Sequence, residues 1–239
     1  NGLTLNGTAN LSGYSSRLDF AGTQSFGASS GQTATVEMGE YNTKLQVTDG
    51  GTLTLESTVT VVGEGIVTGS GTGDAIINNG LIHANLNNAN LILSPETFTN
   101  TGTLRASNNG GLSLKNDWDN NGTIELDSGR LYLYGDNATA DLNQSSFVRV
   151  GASAVYLAGS LDNTGDTLLE VGTIDFIGGS VVGGTSNVDF NATSNMSEFA
   201  DGVTLNADLN LTGSNDHFEI QNGLTLNGTA NLSGYSSRL

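Results

Sequence analysis

Apolar residues in this chain recur as short alternating pairs broken by glycine, asparagine and aspartate, and such alternation predicts short half-buried strands. One pair follows a glycine, as at Leu104 and Ala106 or Val203 and Leu205. A second pair comes at Leu91 and Leu93, Leu112 and Leu114, Leu131 and Leu133, and Leu209 and Leu211. An aromatic closes the pattern shortly before the next corner, at Phe98, Trp118, Phe218 and, in the copy begun by Gly2, Phe20. Those four aromatics are expected in the core. No stretch keeps apolar residues at i, i+3, i+4 and i+7 for long enough to predict a helix, so the expected class is all-β.

The pattern has a period. Asn78 to Gly80 reads NNG, Asn100 to Gly102 NTG, Asn120 to Gly122 NNG and Asn163 to Gly165 NTG, with glycines 22, 20 and 43 apart. With one copy skipped near Leu142, every step is a lap of roughly 20–22 residues, the range of solenoid repeats. Three strands fit in each lap. A hairpin sandwich would turn roughly every 8–12 residues with no longer phase above it. A single-stranded parallel β-helix, or β-solenoid, explains both spacings, with strands of successive laps about 4.8 Å apart. Gly or Asn at the corners is expected to take the left-handed backbone region. The recurrent asparagines are expected to form a ladder along the axis. Between Ser25 and Gly73 the strands are clear (Val36 and Met38, Leu45 and Val47, Leu53 and Leu55, Val59 and Val61) but their phase is irregular. Gly178 to Ser186 is glycine-dense and reads as a loose corner or bulge.

A longer repeat encloses the shorter one. Residues 222–239, NGLTLNGTANLSGYSSRL, repeat residues 1–18 letter for letter, 221 positions on. Residues 1–221 therefore read as one unit of about ten laps, rising about 50 Å at that strand spacing, and residues 222–239 as the opening of an identical unit. The expected partners are neighbouring repeats, or copies of the chain end to end.

Composition narrows the function. Seven basic against 24 acidic residues give a net charge of −17, and the bases (Arg17, Lys44, Arg105, Lys115, Arg130, Arg149, Arg238) are scattered, which argues against nucleic acid. There is no cysteine, so disulfides and thiolate metal sites are excluded. No apolar run approaches the roughly 20 residues of a membrane-spanning helix, so no membrane insertion by this segment is expected.

The NTGTL and NNGTIEL phrases, each followed by a Leu-x-Leu pair and a turn, resemble the β-helical shafts of filamentous haemagglutinin and the giant repetitive surface proteins of bacteria. The resemblance implies a right-handed parallel β-helix in an exported, extracellular or cell-surface protein, an elongated fibre or an adhesin shaft that meets cell-surface glycans. The long repeat fits a filament better than an adhesin with a separate head.

Chemistry is sparse. Asp117 and Asp119, and Glu125 and Asp127, are carboxylate pairs able to hold Ca²⁺, but no calcium-loop motif accompanies them and solvated strand faces explain them. A polysaccharide lyase would need Arg or Lys beside carboxylates; the nearest such pair, Asp127 and Arg130, reads as a surface ion pair. His83 and His217 each stand without a second imidazole. No enzyme activity and no cofactor are expected. Thr33 and Thr35, Thr52 and Thr54, Thr58 and Thr60, and Thr97 and Thr99 read as out of phase with one another, and so as ordinary β-branched strand residues. Trp118, Tyr132, Tyr134 and Tyr156 are rings able to stack on a sugar, and of these Tyr132 and Tyr134, which flank Leu131 and Leu133, are expected to face outward. The sequons at Asn121 and Asn137 need no glycan.

Overall fold

In a computed structural model, which describes residues 2–142, 146–169, 171–193 and 195–239, the chain is all-β, 58% strand and 2% helix. Its strands form parallel sheets stacked as a β-solenoid of about ten turns with about 22 residues per lap. Two compact units divide it, residues 1–131 with 150–153, and residues 132–149 with 154–239.

In the first unit the laps build three rows of stacked strands. The first row runs Gly2–Thr4, Gln24–Gly27, Thr52–Leu55, Ala75–Asn78, Thr97–Asn100 and Asp117–Asn120. The second includes Gly7–Leu11, Leu81–Ala84, Thr103–Ser107 and Thr123–Asp127; the third includes Arg17–Ala21, Asn90–Ser94 and Gly111–Leu114. These strands pair in parallel, so like stacks on like: Leu91 on Leu112, Leu104 on Ile124, Phe98 on Trp118. Alternation puts one side chain in and the next out. Leu91, Leu104, Leu112 and Ile124 are fully buried, and Phe20, Phe98 and Trp118 nearly so.

The irregular phase between Ser25 and Gly73 has a physical cause. Ala34–Thr48 and Val59–Gly69 each run through a corner and serve the second and third rows together. Their register shifts between Gly39 and Lys44, where Tyr41 bulges out and Thr43 turns in to donate to the Glu40 carbonyl. Phe20 departs from the aromatic pattern for another reason: Gly2 opens a first-row strand, whereas Gly80 follows one, so the same spacing carries Phe20 on to a different row. It pairs in the third row opposite Val47, whereas Phe98 and Trp118 lie in the first.

The second unit repeats the plan. Asp136–Ala138, Ser160–Asp162, Ser180–Val182, Asn195–Ala200 and His217–Ile220 form one row. Thr167–Leu168, Thr185–Ser186, Val203–Leu205 and Leu224–Leu226 form another, and Ala154–Leu157, Ile174–Phe176, Phe190–Ala192, Leu209–Leu211 and Ala230–Leu232 the third. Gly178 to Ser186 holds two short strands and the turn between them. Where a lap was expected to be skipped near Leu142, the structure has Asp136–Ala138 and a single helical turn, Thr139–Leu142.

Four phenylalanines knit the second core. Phe199 lies edge-on to Phe218 at 4.7 Å, to Phe190 at 5.3 Å and to Phe176 at 5.9 Å, all fully buried. Edge-to-face packing adds to area burial. Replacing Phe199 with Ala removes a ring that, like Phe176, touches the other three, and is expected to lower stability by about 3–5 kcal/mol in chemical denaturation.

Candidate functional site

The asparagine corners are built from the inside. Asn78, Asn100 and Asn120 end strands of the first row with their side chains turned into the core, 0%, 0% and 1% exposed. Asn78 Nδ2 donates to Asn100 Oδ1 at 2.8 Å, and Asn100 Nδ2 to Asn120 Oδ1 at 2.7 Å. Each end of the row is tied to its own corner, Gly80 N–H donating to Asn78 Oδ1 and Gly122 N–H to Asn120 Oδ1, both at 3.2 Å. A buried polar row whose members bond one another stabilises the lap register rather than weakening the core.

The glycines of these corners act differently from the expectation. Gly80, Gly102 and Gly122 have ordinary φ; a Cβ on Gly102 would lie 2.2 Å from the Gly80 carbonyl oxygen, and one on Gly122 2.3 Å from that of Gly102. Close lap-to-lap approach, not handedness, excludes side chains there. Only Gly165 of the four takes the left-handed region, at φ +79°. At other corners asparagine itself does so, at Asn88, Asn108, Asn116 and Asn222. In the second unit Thr139, 1% exposed, takes the ladder position that the sequence pattern left vacant and donates to Asn163 Oδ1 at 2.7 Å. Asn163 in turn donates to the Thr185 carbonyl at 2.8 Å. Asn137 is buried and bonded to the Gly135 and Ser160 carbonyls, so its sequon is unsuited to a glycan in the folded chain.

A second buried device closes the turn after Val59–Gly69. Asp74, fully buried by area, accepts Ser70 N–H at 2.7 Å, Gly71 N–H at 2.9 Å, Gly51 N–H at 3.1 Å and the Ser70 hydroxyl at 3.1 Å. Burial alone would raise its pKa; the donors from Gly71, Ser70 and Gly51 outweigh it and hold the carboxyl below its usual value. Asp216 accepts Gly213 N–H at 2.6 Å in a comparable turn.

The outward faces are polar. Asp117 and Asp119 are exposed on one strand while Trp118 and Asn120 point in. Asp127 pairs with Arg105 at 3.6 Å, and Glu125 with the same guanidinium at 3.7 Å. Arg105 sits one lap below them in register, which corrects the expected Asp127 and Arg130 pair; Arg130 instead donates to Asn109 O and Asn88 Oδ1. His83 shares a 2.8 Å hydrogen bond with the Ser107 hydroxyl; burial, then the Arg105 charge, lowers its pKa against an opposing effect of Glu125. Arg238 bonds His217 Nδ1 at 3.4 Å. Among the described residues no three His, Cys, Asp or Glu converge as metal ligands.

The threonines are more ordered than expected. Thr52 and Thr97 share one outward row and Thr54 and Thr99 the next, with Ala75 and Ile77 between them. Elsewhere single threonines line up lap by lap: Thr8, Thr35 and Thr60, then Thr103 and Thr123, and in the second unit Thr167, Thr185, Thr204 and Thr225.

Tyr132 and Tyr134 face outward around buried Leu133, with Tyr134 44% exposed. Tyr132 stacks on Tyr156 at 4.9 Å and 15°, and lies 6.1 Å from Tyr134 at 17°. A centroid separation that short requires overlapping faces, so Tyr156 covers one face of Tyr132, and of these three rings Tyr134 is the most exposed.

The two identical phrases complete the picture. In the first, Gly2–Thr4 pairs forward with Gln24–Gly27 and Gly7–Leu11 with residues 34–38. In the second, Leu224–Leu226 pairs backward with Val203–Leu205 and Ala230–Leu232 with Leu209–Leu211. Three amides reinforce the second seam, Asn222 on Asp201, Asn227 on Asn206 and Asn231 on Asn210, each spanning one lap at 2.7–2.8 Å.

Two outcomes follow. Asn100→Ala breaks both ladder bonds, leaving Asn78 Nδ2 the longer contacts to the Gly80 and Thr103 carbonyls and Asn120 Oδ1 the Gly122 N–H, and is expected to cost about 1–3 kcal/mol in chemical denaturation. Because the folded pKa of Asp74 is depressed, its contribution is fully present above the unfolded value of about 3.9 and is lost as pH falls through the folded one. Acid titration of thermal stability is therefore expected to steepen below about pH 4, and Asp74→Asn to lower stability at neutral pH while flattening that slope.

Compared with protein-family models, curated proteins and solved structures, the chain gives no match.

Proposed function

We propose that this chain is the structural repeat unit of a long extracellular or cell-surface fibre, built by tandem β-solenoid units that carry load through axial hydrogen bonds. One observation supports it above the others: a single repeated phrase docks forward onto the laps after it in one copy and backward onto the laps before it in the other. A lap with both edges matched continues a solenoid without a cap. Its phrases resemble filamentous-haemagglutinin shafts, and this favours export and the cell surface. The reading needs no catalysis, cofactor or nucleic acid; its partners are the neighbouring repeats.

A second reading, a glycan-binding segment of an adhesin shaft, is favoured by the outward Tyr134 beside Tyr132 and Tyr156. Tyr134→Ala should abolish retention on a glycan panel if it holds, and leave rod formation intact.

Genes encoding one, two and three copies of the unit spanning residues 1–221 separate the fibre reading from beads on a string. Rods that lengthen by an equal step of about 50 Å per unit, with an axial reflection near about 4.8 Å, are expected. Particles joined by bends, with no common step, would overturn it.

A further inference from the structure

One lap of the first unit passes a corner without a loop. Between the second and third rows, residues 40–43 stand opposite Gly65 alone, and on the other side residues 84–90 stand opposite Gly63 and Glu64. The laps on either side therefore bulge outward where Val59–Gly69 runs straight through. Gly63 and Gly65 allow that course. A Cβ on Gly63 would lie 1.9 Å from the Met38 carbonyl oxygen and one on Gly65 2.5 Å from Thr43 Oγ1, and both residues take positive φ, +114° and +147°. The result is a slot one lap wide, with walls two strand spacings or about 9.6 Å apart. It holds a cavity of about 240 Å³ lined by Glu37, Met38, Val62, Gly63, Asn85 and Leu86. All three laps that form it are paired on both sides.

The lining asks for donors and positive charge. Glu37 is exposed and accepts one long hydrogen bond, from Asn10 Nδ2 at 3.4 Å. Asn85 Oδ1 is shielded from solvent and has no partner among the described residues. A buried acceptor without a donor is costly, and a donor seated in the cavity that Asn85 lines removes that cost. No lysine or arginine lines the cavity, and His83, in register beside Val62, is held toward its neutral form by burial and by Arg105. The rest of the lining is apolar: Met38 is buried, and Leu86, on the far wall, is 39% exposed. The near bulge carries Tyr41, 63% exposed, whose ring type attracts cations. We propose that this slot binds a primary alkylammonium ion, its N–H groups directed to Glu37 and Asn85 and its methylene stem laid against Met38, Val62 and Leu86. An ammonium has three donors and no acceptor, which matches a site that offers only a carboxylate and an unpartnered amide oxygen. A carboxylate ligand is repelled by Glu37, and a neutral alcohol leaves that charge unmatched. Free diamines and lysine side chains share this chemistry.

Calorimetric titration of the full chain with 1,5-diaminopentane, followed in parallel by amide NMR, tests the site. Saturable binding is expected, with shifts centred on Val62, Gly63, Asn85 and Leu86, and none with pentanol or pentanoate. Glu37→Gln is expected to weaken it about tenfold or more, and Leu86→Ala several-fold. Both positions are exposed, so the variants keep the core intact. Asp117→Asn makes the same charge change on an exposed first-row position and is expected to leave binding unchanged, which separates the slot from the general attraction of a chain of net charge −17. Two arms distinguish the source of the ammonium. Equal binding of Nα-acetyl-lysine methylamide would assign the slot to a lysine side chain, and binding of the diamine alone to a free diamine. Absence of saturable binding, shifts spread over the acidic surface, or an affinity indifferent to Glu37→Gln would overturn the site. The proposal is independent of the fibre reading, and equal-step rods from joined units would stand under either result.

Discussion

A lap of about 22 residues encloses too little volume to bury its own apolar side chains, so its stability comes from the laps on either side. Parallel, in-register pairing meets that constraint. It aligns each main-chain N–H with a carbonyl one lap away and sets each inward Leu, Ile or Val on its equivalent. The remaining features follow from keeping that register. Gly102 and Gly122 let a corner approach the carbonyl one lap below to a distance no Cβ allows. Asn78, Asn100 and Asn120 bring polar groups into the core only because each amide finds the next. A slip of one residue would break every such pair at once and turn the apolar side outward.

Much of this was legible in the sequence for a simple reason. Laps of near-constant length convert spatial stacking into linear spacing, so NNG and NTG phrases set one lap apart announce both the lap and its corner. Legibility fails where lap length changes. The bulge between Gly39 and Lys44 shifts the phase of its neighbours and is marked by no motif, and Phe20 lies in a different row from Phe98 because Gly2 opens a first-row strand while Gly80 follows one. Thr139 fills an asparagine position because a hydroxyl also reaches Asn163 Oδ1, and a search for Asn-x-Gly passes over it. A lone threonine at one ladder position inside Asp-Asn-Ala-Thr is the signal that was there to find.

Surface pairings were the hardest to read, because proximity along the chain competes with proximity across laps. Asp127 lies close to Arg130 in sequence yet pairs with Arg105, which faces it from the preceding lap. The threonine rows were hidden for the same reason: Thr-x-Thr pairs compared within a lap look unrelated, while Thr35 and Thr60 lie side by side across laps. The tyrosines show a further limit. Sequence alternation placed Tyr132 and Tyr134 outward, but only the third dimension shows that Tyr156 occupies a face of Tyr132. Outward direction and availability are separate properties, and only the first has a period.

Direction also decides what kind of assembly such a chain supports. Parallel strands give every lap unlike edges, and the side-chain ladders are polar too. In the first unit the inner asparagines donate toward higher residue numbers, Asn78 to Asn100 to Asn120. In the second unit the outward amides donate toward lower ones, Asn231 to Asn210 to Asn191 to Asp175. Two like edges brought together would run their strands antiparallel and give up the parallel register that stacks like on like, so a contact that keeps the native register is head to tail. The repeated phrase carries both halves of that contact, so the polarity that organises one lap on the next also sets how one unit meets another.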